Sequence, residues 1–142
     1  MSRRPPLGIA LMTLSLLNGC GLGDPCGNEI VVRVPSPSGA HEAVVFERAC
    51  GATTGWSTQV AIIGRGAIFN EEPTFWRATQ SGDVLVLKDR AAREGVEGLS
   101  VVPSWSDDTH LVLAYDAGTV VAHSRDLVDG IAVERRAVEH AY

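Results

Sequence analysis

Apolar runs in this chain are short, rich in β-branched residues and closed by Gly, Pro, Asp or Ser roughly every ten residues, a pattern that strands punctuated by turns produce. No other feature restricts the fold so tightly. Glu29–Val34 reads EIVVRV, with Ile30, Val32 and Val34 expected on one face and Arg33 on the other, the period of a half-buried strand. Glu42–Arg48, Ser57–Gly64, Asp83–Lys88, Leu99–Val102, Thr109–Tyr115 and Thr119–Ser124 continue the series, and Gly130–Val138 closes it. Asp116-Ala117-Gly118 supplies a glycine-containing loop expected to join two of these strands as a hairpin. Asp89–Glu94 (DRAARE) is helix-like but barely longer than a turn. The expectation is an all-β domain, a single small antiparallel β-sandwich or curled meander.

The N-terminus follows a different rule. Arg3 and Arg4 precede an apolar segment from Leu7 to Leu17. At eleven residues that segment is shorter than the roughly 20 needed to span a hydrocarbon core, and it has the flanks of an export signal. It ends in Leu17-Asn18-Gly19-Cys20, which resembles the lipobox of bacterial lipoproteins, with Asn18 where that family usually carries a small or β-branched residue. The resemblance implies cleavage before Cys20 and lipidation of its sulfur, anchoring the chain to a membrane. It divides the sequence into a signal peptide (1–19), a lipidated tether (20–28) and a β domain (29–142). Gly21, rather than Asp, follows the acceptor, which in a Gram-negative cell favours the outer membrane, facing the periplasm.

Removing residues 1–19 takes the balance from 12 basic against 17 acidic residues to 10 against 17, a net charge near −7. Such a surface disfavours nucleic acid and offers no polybasic attraction to anionic lipid. Of three cysteines, lipidation of Cys20 leaves Cys26 and Cys50, and two thiols in one small exported domain most often pair.

Ser36–Glu47 (SPSGAHEAVVFE) is echoed 69 residues later by Trp105–Asp116 (WSDDTHLVLAYD), each a turn entering a strand with an aromatic near its end. The turn-plus-strand unit resembles part of a β-propeller blade, but the chain is too short for four blades. Taken with CGATTGWSTQV (Cys50–Val60), these segments are similar to a group of small uncharacterised bacterial exported proteins. That resemblance bears on fold and export and implies no activity.

Two readings of the Cys50 loop stand side by side. Cys50 as a nucleophile, with Gly51–Gly55 amides stabilising an anion, would make an enzyme. Cys50 in a disulfide, with Gly51 and Gly55 permitting an irregular loop, would make a scaffold. The second is adopted, with no catalytic residue assigned. Thr53, Thr54, Trp56 and Gln59 then form a possible binding loop, with Trp56 either a lid on the core or a surface anchor. Phe75, Trp76 and Trp105 read as core lids. His41, His110, His123 and His140 lack the spacing of a metal site. His41 and His110 are expected to face solvent, and Asp107-Asp108 reads as turn chemistry. No cofactor is expected. The functional expectation is a membrane-anchored, non-enzymatic binding or envelope-interaction domain, with an envelope protein as candidate partner. The alternatives are a thiol- or loop-based enzyme centred on Cys50 and a purely structural envelope protein.

Overall fold

A computed structural model of the chain describes residues 26–51, 55–71, 82–88 and 101–139. The signal segment, Cys20, Phe75, Trp76, the Asp89–Glu94 piece and His140 lie outside them. The strands are β1 (Gly27–Pro35), β2 (His41–Ala49), β3 (Trp56–Gly64), β4 (Leu85–Lys88), β5 (Val101–Asp107), β6 (His110–Asp116), β7 (Val120–Ser124), β8 (Leu127–Val128) and β9 (Ile131–Val138). They form two sheets, ordered β1-β2-β3-β4-β7 and β5-β6-β9-β8. The described part is all-β, as the strand spacing predicts. The first sheet is antiparallel throughout, whereas the second is mixed because β6 and β9 run parallel.

Alternation builds the core between the sheets. Val45 and Val60 from the first sheet share one cluster with Leu111, Leu113 and Ile131 from the second. β2 and β3 are also buried on their other face, where Val44, Phe46, Ala61 and Ile63 meet Phe69. The Phe46 and Phe69 rings meet edge to face with centroids 4.8 Å apart, and the Arg33 guanidinium lies 5.8 Å from the centre of Phe69. Two-sided burial explains why these strands read as continuous apolar runs (AVVF, VAII) rather than alternating ones. Pro103, which lacks a ladder N–H, falls on β5, an edge strand where that loss is tolerated.

Two sequence expectations are corrected, and one strand is added. Ile30, Val32 and Val34 do not share a face. A β-bulge at Val31 pairs Ile30 with Phe46 and Val32 with Val45, sending Ile30 to the outer cluster and Val32 to the inner one. The strands around Asp116-Ala117-Gly118 do not form a hairpin, since the turn carries the chain from β6 into the first sheet, where β7 pairs with β4. That excursion lets the chain return and lay β9 parallel to β6. Finally, Leu127–Val128 is a separate short strand paired to β9 through Asp129-Gly130. Both turn residues have positive φ (49° and 82°), the backbone of a two-residue Asp-Gly hairpin.

The 69-residue echo corresponds to two hairpins in facing sheets, β1–β2 and β5–β6, with His41 and His110 as the first residues of β2 and β6. Their tips interlock. The Ser38 backbone N–H and hydroxyl donate to Asp108 Oδ1 at 2.9 and 2.8 Å, which holds that carboxyl below its usual range. Arg65 braces the same turn by donating to the Gly39 and Ser38 carbonyls at 2.9 and 2.6 Å. Trp105, a half-buried side chain packed against the inner cluster, donates from Nε1 to the Val34 carbonyl at 2.9 Å.

Candidate functional site

Strand direction gives the domain two distinct ends. β1 and β3 start at one end and β2 finishes there, so Gly27, Ala49 and Trp56 stand in one row across three strands. One position beyond that row, Cys26 and Cys50 are joined by a disulfide. The bond therefore continues the β1–β2 ladder covalently, and it occupies the sulfur that a nucleophilic role would require. Gly51 and Gly55 flank the loop with φ of 98° and 67°, the left-handed backbone that glycine adopts without a Cβ penalty.

The described residues of the possible binding loop are placed differently from one another. Thr53 and Thr54 lie outside the described residues. Gln59 is 7% exposed, with Nε2 donating to Ser57 Oγ at 2.8 Å and Oε1 accepting from the Gly82 N–H at 2.7 Å. Its amide is spent inside the sheet, and a Cβ on Gly82 would lie 2.7 Å from the Gln59 Cβ, so this contact is built to close tolerance. Trp56 differs. It has the face parity of Val60 and Ile62, yet it stands beyond the end of the core and is 47% exposed. It borders a depression of about 260 Å³ with Asn28, Glu29, Ala49 and Glu71. Asn28 positions that rim, donating from its backbone N–H to the Glu71 carbonyl at 2.8 Å and from Nδ2 to the Asn70 carbonyl at 3.1 Å.

A second site at the opposite end was not read from the sequence. On the outer face of the second sheet, Ser106, Asp107, His110, Val112, Ala132 and Glu134 border an open groove of about 480 Å³. The parallel register places His110 beside Ala132 and Val112 beside Glu134. Asp107 sits at the hairpin turn, where Oδ1 accepts from the Thr109 N–H and hydroxyl, both at 2.7 Å. Asp107 Oδ2 also lies 2.9 Å from His110 Nδ1. An ionised carboxylate only accepts, so Nδ1 carries the proton in this contact. The turn chemistry expected for Asp107-Asp108 is present, and its by-product is an oriented imidazole. The signal was the D-x-x-H spacing across a two-residue turn, visible only once the hairpin register is known. His110 is exposed, as expected, whereas His41 is half-buried with its Nδ1 enclosed and unpartnered among the described residues.

The Thr109 hydroxyl foremost, then His110 and the Thr109 amide, lower the Asp107 pKa to about 2. A depressed carboxylate stabilises the fold above its unfolded pKa and loses that contribution as pH falls through the folded value. The turn should therefore stay intact at pH 5 and loosen between about pH 4 and pH 2. Carboxyl-carbon NMR should place the Asp107 midpoint near 2, and Thr109→Val should move it upward.

Among the described residues, no group of three or more His, Cys, Asp or Glu side chains converges as a metal site. These features define a two-sheet, disulfide-stapled all-β domain with an aromatic-rimmed depression at one end and a histidine groove at the other. No protein-family model, curated protein or solved structure matches the chain.

Proposed function

We propose that this protein is a bacterial lipoprotein, anchored through Cys20, whose β domain is a non-enzymatic binding module for another envelope component. In this reading the lipid holds the disulfide end, and the Asp107–His110 groove at the opposite end engages the partner. The observation that carries the proposal is the Cys26–Cys50 bond. It uses the two thiols left after lipidation, fits an oxidising compartment, and fastens the domain six residues from the acceptor cysteine. In a cell with an outer membrane, Gly21 in place of Asp favours sorting there, facing the periplasm.

Labelling with a palmitate analogue, with and without an inhibitor of the lipoprotein signal peptidase, tests the anchor. Label should enter the wild type and not Cys20→Ala, and the inhibitor should accumulate the precursor. A photo-crosslinking residue at Val112 or Glu134 in intact cells tests the binding end. The same adduct should form from both positions and be lost with His110→Ala. Adducts that differ between positions would support a purely structural envelope role, and turnover appearing only after reduction of the disulfide would support the Cys50 enzyme.

A further inference from the structure

We infer that the disulfide end of the domain rests against the bilayer headgroup layer, with Trp56 seated among the headgroups and the Glu29–Glu71 rim facing their amines. This inference depends on the lipid anchor at Cys20 proposed above. The first argument is reach. Five residues separate Cys20 from Cys26, and the six residue steps between them, even fully extended, span only about 20 Å. A lipid-bearing cysteine sits at the base of the headgroup layer, which is itself about 5–8 Å deep. The disulfide end therefore cannot leave the neighbourhood of the membrane, whichever way the tether runs.

The second argument is what that end presents. Trp56 lies two strands from Gly27 in the same row, about 10 Å away at ordinary strand spacing. Its side chain is 47% exposed. An indole with an apolar body and one N–H donor is suited to the headgroup region, where one side is dry and the other wet. Glu29 and Glu71 share the depression with Trp56, and a carboxylate beside an aromatic face suits a primary or quaternary ammonium. The same carboxylates and the acidic net charge repel anionic lipid, against two cations one row further in: Arg48, which donates to Asn28 Oδ1 at 3.1 Å, and Lys88, paired with Ser57. The surface thus selects zwitterionic, amine-bearing headgroups and disfavours phosphatidylglycerol, the opposite of a polybasic patch. Acyl chains supply the affinity. Trp56 sets orientation, keeping the groove end directed away from the membrane.

The test uses purified full-length mature protein, reconstituted in vesicles of phosphatidylethanolamine and phosphatidylcholine. Intact mass first establishes whether Cys20 is acylated. The fluorescence component lost in Trp56→Phe should be quenched by lipids brominated near the headgroup end of the chains, and less by lipids brominated at the terminal methyl. Adding phosphatidylglycerol at low salt should reduce that quenching by about twofold or more, and salt should restore it. A second variant, Glu29→Gln with Glu71→Gln, should abolish the anionic-lipid effect while leaving Trp56 in place. An acylated protein whose Trp56 is equally bright with and without bromine overturns the docking alone, as does quenching that rises with phosphatidylglycerol. An unacylated Cys20 overturns both the anchor and the docking.

Discussion

Phe46→Ala should lower the unfolding free energy by about 3–5 kcal/mol, the usual cost of removing a buried aromatic ring. Phe46 is 0% exposed, sits on the interior strand β2, and meets Phe69 edge to face. Truncation removes apolar burial, opens a cavity and strands Phe69 over it. Natural domains hold about 5–15 kcal/mol in total, so the variant should unfold at a much lower urea concentration. Chemical denaturation followed by far-UV circular dichroism measures the difference. Phe46→Leu should recover a large part of it, because the lost volume is then smaller. A small effect for the alanine variant would mean that the outer face of the first sheet is not a true core.

Replacing Cys26 and Cys50 together with serine should cost about 3.5 kcal/mol on the chain-entropy argument for a loop of this length, the two positions being 24 residues apart. In urea this corresponds to a midpoint shift of about 2 M at an ordinary slope. Treating the wild type with a reductant should reproduce most of the shift, which separates loss of the cross-link from any effect of serine at the buried Cys26 site. The reduced protein should keep its strands, because the β1–β2 ladder runs from Gly27↔Ala49 to Pro35↔Glu42 without help from sulfur. If reduction left the midpoint unchanged, the staple would have no role in holding the end on which Trp56 stands.

Local chemistry made a large part of this architecture legible. Strand positions follow from β-branched runs and turn residues, and those depend on neighbours only a few places away. The Cys26–Cys50 pairing follows from cysteine counting once Cys20 is set aside, and the structure contains that bond. What escaped depends on partners far along the chain. The bulge at Val31 leaves no mark in VVRV, because valine suits either face. Turn chemistry at Asp116–Gly118 announces a reversal but not which sheet receives β7, a choice made by pairing with β4. Gln59 looks like a loop amide beside Trp56, and only the approach of Gly82 reveals that it is enclosed. The His110 groove needs β9 alongside β6, a parallel contact that no short-range pattern encodes.

The position of the disulfide has a mechanical consequence. β1 is the first strand of the domain and lies at a sheet edge. A pull on the chain ahead of Cys26 would otherwise peel it away from β2 one hydrogen-bonded pair at a time. The bond to Cys50 lies at the very start of that ladder. Such a pull therefore bypasses the edge strand and enters β2, which is held by neighbours on both sides and buried on both faces. The covalent link denies unzipping its starting point, the free first pair of the edge ladder.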